Sequence, residues 1–408
     1  MSRAAAIAAA CLVLWLTECI PLYATTLVLW VATVLFLSPL DPKTFGLSRT
    51  LAVLSNPVMP LFFGGFILAI AGTKYGIDTA IADLMVKLSY GRRRALLFTV
   101  MAGTAVLSMW ISNIAAAPMM IATLRPLLHN ESDVRFRRAL LLGVAFAANF
   151  GGIATPIGTG PNMLAIGSLA DSHPISFVHW MVFGVPIAVF MCALAYLLFV
   201  FSYGVGGATA ARHVRVAQLS GGGWLVVVLF CVTVTAWLLE PLHGLPSSLI
   251  ALAAACVLFA TRLLDTRELA QVRWGTLILI AGGLSLGELL NDSGLAVASA
   301  RLIDWQALPP VVLTLGLVMA CALLSSVSSN TASTAILIPI AIGMCPDPTV
   351  AISVALGASM GAQFVISTPA NAMAHGEGDL RSSDFLIPGT ILLIVGCGLV
   401  VMLAGVLR

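Results

Sequence analysis

A chain of 408 residues that is 60% hydrophobic and only 9% charged, with a mean hydropathy of +1.05, is not an ordinary water-soluble globule and belongs in lipid. The net charge is only +3, and Lys and Arg sit between apolar runs rather than on one face, which excludes a nucleic-acid partner. The eight cysteines lie nearly all in apolar runs without CxxC spacing, so they read as small core hydrophobes rather than disulfides or metal ligands.

The N-terminus, Met1-Ser-Arg-Ala, resembles the start of a secretory signal. No small-residue cleavage site precedes the polar pair Thr17 and Glu18, however, and more spans follow, so residues 4–20 are read as the first transmembrane helix. Further spans are expected at 22–40, 58–73, 139–169, 177–203, 222–239, 245–262, 274–291, 350–374 and 385–407. The longer of these, such as 22–40, 177–203 and 385–407, can each cross a hydrocarbon core of about 30 Å as a helix. Two other apolar segments, 95–127 and 310–342, are too long for one span and are broken near the middle by Ser112-Asn113-Ile114 and Ser329-Asn330-Thr331. Polar, helix-breaking residues at membrane depth are tolerated only where protein buries them or they line a cavity. Both segments are therefore expected to be re-entrant hairpins whose tips meet inside the protein.

The chain repeats itself. Trp15-Leu-Thr-Glu18 recurs as Trp237-Leu-Leu-Glu240, Gly64-Gly65-Phe66 as Gly282-Gly283-Leu284, and Gly76 as Gly294. In the same order Ser112-Asn113 recurs as Ser329-Asn330, and Thr159-Gly-Pro-Asn162 as Thr368-Pro-Ala-Asn371. Five crossings per half is an odd number, so the second half enters the bilayer upside down. The expected fold is thus an all-α polytopic membrane protein of two inverted repeats, 1–205 and 206–408, each with a hairpin and a broken helix. Charge agrees: with the arginine clusters around the first hairpin (Arg92, Arg93, Arg94; Arg135, Arg137, Arg138) in the cytoplasm, alternation leaves outside only Arg3, Lys43, Arg49, Arg301 and Arg408 of the 20 Lys and Arg. The second hairpin then opens from the opposite face.

The chemistry is expected where the breaks meet. The stretch Gly151 to Asn162 packs glycines and two prolines into a span that would otherwise be helical, and Ser367-Thr368-Pro369-Ala370-Asn371 does the same in the second half. Helix N-termini exposed by such breaks carry roughly half a positive charge and free N–H groups, which attract anions. None of the four broken motifs contains Lys, Arg, His or a carboxylate. An anion there is expected to be held by hydroxyls, amides and helix dipoles rather than a fixed side-chain charge, and a co-bound cation by neutral oxygens, a demand that sodium meets. His375 and Glu377 are the nearest titratable groups but read as polar residues at a helix end. Glu18 and Glu240 read as buried acids hydrogen-bonded to neighbouring helices, and Arg125 as a snorkelling interfacial arginine.

At these motifs the sequence resembles the divalent anion/sodium symporter family of dicarboxylate, citrate and sulfate carriers. The resemblance rests on Trp15 to Pro21, Ser55 to Phe66, Ser108 to Asn113, Gly151 to Asn162, Glu240 to Gly244, Trp274 to Gly283, Ser329 to Thr331 and Thr368 to Asn371, nearly the whole chain. It implies a homodimer in the cell inner membrane, with scaffold helices holding transport domains that slide like elevators. It implies that a small anionic substrate meets Ser112, Asn113, Thr159, Ser329, Asn330, Thr331, Thr368 and Pro369. It implies co-transported sodium at Ser108, Asn113 and Gly158, and again at Ser325, Ser328, Asn330 and Ser367. Three departures stand out. Ile114 occupies a position where the family usually has threonine; Gly160 and Ala370 each replace a proline, which is expected to loosen the break; and the chain is expected to lack the helix that commonly precedes the Trp15 span, leaving ten crossings. A sodium-independent exchanger or a sulfate-like oxyanion carrier would share this plan. An intramembrane enzyme would need a nucleophile with its base or a motif such as HExxH, and neither is present.

Overall fold

The computed structural model describes residues 1–89, 91–207, 218–295, 298, 309–345 and 347–407. Arg301 and Arg408, used above in the charge argument, lie outside the described residues. The described chain is helical almost throughout. The first half contains α1 (Ser2–Thr17), α2 (Leu22–Phe36), α3 (Val58–Lys74), α4 (Ile77–Lys87), α5 (Arg93–Ile111), α6 (Asn113–Asn130), α7 (Val134–Gly151), α8 (Gly160–Leu169) and α9 (Phe177–Ser202). The second contains α10 (Gly221–Leu238), α11 (Ser247–Ala260), α12 (Trp274–Asp292), α13 (Pro310–Val327), α14 (Asn330–Met344), α15 (Pro348–Ala358), α16 (Pro369–Gly376) and α17 (Ser382–Leu407). Among the described residues seven helices are long and apolar enough to cross a membrane, or eight if Pro42–Ser55 and α3 form one bent span. The expected spans at 4–20, 22–40 and 245–262 come out as helices of 14 to 16 residues, short of the usual crossing length of about 20.

The two halves repeat the same local contacts. The Trp15 indole donates to the Leu22 carbonyl at 3.0 Å, and Trp237 donates to the Ser247 carbonyl at 3.0 Å. Each indole thereby ties the end of one helix to the start of the next. A Cβ at Gly64 would lie 2.5 Å from the Ala251 carbonyl oxygen, and one at Gly282 would strike the Thr26 hydroxyl. These glycines let α3 press against the backbone of α11, and α12 against the Thr26 side chain of α2.

Burial orders the layers. In α7 every residue from Ala139 to Gly151 is buried, whereas α10 exposes Trp224, Leu225, Val228 and Val232. In water such a run would be unstable; around a bilayer it is the lipid-facing surface. The hairpins α5/α6 and α13/α14 and the broken pairs α7/α8 and α15/α16 enclose the centre, with α1, α3 and α12 along one side.

Candidate functional site

Both long segments break where the polar tripeptides stand. α5 ends at Ile111, and Ser112 adopts φ 80°, ψ 154°, a backbone conformation that only glycine adopts readily. This costs roughly 1–3 kcal/mol and persists only where the surroundings enforce it. α13 ends at Val327, and Ser328 and Ser329 cross to α14 in extended conformation. Neither α6 nor α14 has a side-chain cap at its N-terminus, so their first amides remain available to a ligand.

The broken helices are held open by side chains that replace the lost helical bonds. The buried Asn162 amide donates to the carbonyls of Gly152, Ile153 and Thr155 at 2.9, 3.3 and 2.8 Å. Asn371 does the same in the second half, donating to Ala362 and Phe364 at 2.9 Å each. Ser108 and Ser325 fasten the hairpins to the breaks, donating to the Ala148 and Ala358 carbonyls, each at 2.6 Å. Asn149 sits between the halves: its amide donates to Thr368 Oγ1 and Asn371 Oδ1, each at 3.1 Å, and its oxygen accepts from Asn113 at 3.4 Å.

These elements converge on one cavity of about 460 Å³. Its lining includes Ser112, Asn113, Thr159, Ser329, Asn330, Thr331, Thr368 and Pro369, all of the residues expected to meet substrate. Of those expected at sodium, Asn113, Ser328, Asn330 and Ser367 also line it. Ser108 and Ser325 lie buried one helical turn back, and Gly158 lies within the first break, its backbone against Gly152.

Residues 12–358 match the citrate transporter family, CitMHS. The chain belongs to that family. It is 31% identical over 404 residues to an uncharacterised transporter of Methanocaldococcus jannaschii, covering 95% of this chain and 90% of that one. It is 26% identical to the sodium-dependent dicarboxylate transporter SdcS of Staphylococcus aureus, covering 90% of this chain and 78% of that one. The fold is similar to that of the Alcanivorax borkumensis YdaH transporter, with a TM-score of 0.63 at 17% identity over 93% of this chain and 97% of that one. This citrate transporter family member is thus a multi-pass membrane transporter and not an enzyme, and its expected place among the divalent anion/sodium symporters holds.

Several readings of the sequence need correction. Glu18 is exposed rather than buried; it lines the cavity, and its carboxylate accepts from the Ser329 amide at 3.0 Å. Glu240 is half-buried and accepts from the Phe177 amide at 3.2 Å and the Ser247 hydroxyl at 2.5 Å. The expectation of no fixed positive charge at the centre also fails, because Arg273, just before α12, lines the cavity with Phe66 and Thr276. Gly160 does not loosen the break: a Cβ there would collide with the Thr331 hydroxyl, so glycine is what lets the second hairpin close on α8. Arg125 pairs with Glu377 at 2.9 Å, and neither residue lines the cavity. Asn149 escaped notice, although a lone amide in the apolar run before Gly151 was a usable signal. Arg273 belongs to no motif and carried no comparable mark.

Proposed function

We propose that this transporter carries small di- or tricarboxylate anions across the inner membrane, coupled to sodium, as a homodimer working by an elevator movement. The observation that carries the reading is the convergence of two uncapped hairpin tips and two broken helices, rich in Ser, Thr and Asn, on one cavity. Partial positive charge from helix N-termini and many hydroxyl and amide donors suit carboxylate oxygens. In this reading Ser112, Asn113 and Thr159 meet one end of the anion, and Ser329, Asn330, Thr331, Thr368 and Pro369 the other.

Sodium is supported by the many neutral hydroxyl, amide and carbonyl oxygens at these positions, Glu18 being the one carboxylate that lines the cavity. Among the described residues no cluster of three or more His, Cys, Asp or Glu exists that would hold a divalent metal. Ser108, Asn113 and the Gly158 backbone on one side, and Ser325, Ser328, Asn330 and Ser367 on the other, offer hydroxyl, amide and carbonyl oxygens to a monovalent ion. The name of SdcS, a sodium-dependent dicarboxylate transporter, favours the same coupling. Sliding is favoured by the kind of surface between the side formed by α3 and α12 and the centre: Gly65 faces Ile157, Gly167 faces Leu284 and Val58, and Gly283 faces Leu164 and Ala335. Apolar, glycine-relieved contacts shift register with few directional bonds to break. In this reading the chain forms two inverted repeats, 1–205 and 206–408, whose hairpins enter from opposite faces.

Uptake of radiolabelled succinate into proteoliposomes, with citrate, sulfate and α-ketoglutarate as competitors, tests this. Sodium-driven uptake that vanishes when Ser329→Ala and Asn330→Ala are combined is the expected outcome. Uptake indifferent to sodium but dependent on preloaded anion would make the protein an exchanger.

A further inference from the structure

We propose that Arg273 is a substrate-contacting residue that pairs with one carboxylate of the transported anion, a role that rests on the dicarboxylate reading above. Its guanidinium lies in the cavity wall with its Cζ 4.8 Å from the centre of the Phe66 ring, where the ring face holds it in place. One N–H donates to the Ile111 carbonyl at 3.1 Å, the last carbonyl before the strained Ser112. A guanidinium has five N–H donors, and among the described residues this is the one acceptor within hydrogen-bond reach. No carboxylate among the described residues pairs with it, although five of the six ion pairs found there engage other arginines and the sixth engages Lys74. A half-buried cation in a cavity wall favours a counter-charge in front of its free donors, and the one carboxylate that lines the cavity, Glu18, is engaged by the Ser329 amide on the second tip.

The repeat makes the assignment specific to one end of the substrate. Position 331 on the second tip is Thr, and its equivalent on the first tip is Ile114, which offers the cavity no hydrogen bond. Arg273 stands beside that first tip, whereas its own equivalent in the first half is the neutral Ser55. One end of the anion is therefore met by a charged fork and the other by hydroxyls and amides. A planar carboxylate satisfies the fork; a carboxamide does not.

The test compares succinate with its monoamide, succinamate, in proteoliposomes of the wild type, Arg273→Gln and Arg273→Lys. The wild type is expected to prefer the dianion. Arg273→Gln is expected to raise the KM for succinate about 30-fold or more and to collapse the preference over the monoamide. Arg273→Lys, which keeps the charge and loses the fork, is expected to recover part of the preference, and it serves alone if the glutamine variant does not fold. If either folded variant lowers the maximal rate and leaves the preference intact, Arg273 only braces the first hairpin and the proposal falls. If the wild type takes up neither anion, the dicarboxylate reading falls first and this assignment with it.

Discussion

The two hairpin tips descend from the same pattern and differ in how they are held. The first tip turns on Ser112 in a backbone conformation unfavourable to serine, carries Ile114 toward the cavity, and is tied through its Ile111 carbonyl to a cation, Arg273. The second turns through Ser328 and Ser329 without strain, carries Thr331, and is tied through its Ser329 amide to an anion, Glu18. Each charge complements the helix end it touches: the cation lies at the carbonyl end of α5, the anion at the amide end of α14. Glu240, the repeat equivalent of Glu18, holds the start of α9 instead of the opposite tip. A twofold sequence pattern thus supports an unequal pair of contacts.

The comparison can be broken most severely at the asparagines that the halves share. Asn162→Ala would strand three buried carbonyls and Asn371→Ala one buried and one partly buried, at about 1–3 kcal/mol for each buried one left unpaired. Both variants are expected to melt well below the wild type in detergent, Asn162→Ala lower than Asn371→Ala. Equal melting points would mean that water enters the breaks and satisfies them.

Next in size is Gly160→Ala. The added methyl meets the Thr331 hydroxyl and methyl, so the second tip must move away from α8. Uptake is expected to fall by about tenfold or more, since displacements near 1 Å weaken a positioned site on that scale. Combining it with Thr331→Ala, which removes most of the clash, should restore the melting temperature more than the uptake.

The helices were legible in the sequence because apolar runs of sufficient length leave few alternatives in lipid, and the hairpin breaks because a Ser-Asn pair at membrane depth needs a cavity. The eight expected substrate contacts came from the family resemblance, and all line one cavity. Long-range placement was not legible. Arg273 reaches Ile111 across 162 positions, and no local spacing announces that. Gly160 was misread for a related reason: a glycine next to a proline suggests looseness until the approaching side chain is known.

A smaller change sharpens the contrast between the tips by making them alike. Ile114→Thr would give the first tip the hydroxyl that Thr331 gives the second. One added hydrogen bond to an anion is worth about 1 kcal/mol, so the KM for a dicarboxylate is expected to fall a few-fold. An unchanged KM would mean that the anion sits away from the first tip and close to Arg273 alone.

The smallest expected effect concerns the segment that presents Arg273. Between α11 and α12 the turn Thr266–Ala270 is closed by a capping box in which Glu268 accepts from the Asp265 amide at 2.8 Å, and Glu268 also meets Lys74 at 3.0 Å. The Trp274 indole donates to the Leu269 carbonyl at 3.3 Å, which joins this turn to the start of α12 and so to Arg273. The bond from the Asp265 amide, followed by Lys74, holds the Glu268 carboxyl down at about 2, below its ordinary range. A carboxylate with a lowered folded value contributes stability that is complete above about pH 4.5 and disappears as pH falls through the folded value. The wild type should therefore lose melting temperature between about pH 4.5 and 2 more steeply than Glu268→Gln, by a small margin because Lys74 is partly in solvent. If Glu268→Gln also raises the KM for the anion at neutral pH with Vmax unchanged, the turn matters because it aims Arg273; if melting alone changes, the arginine is held by Phe66 and Ile111 without it.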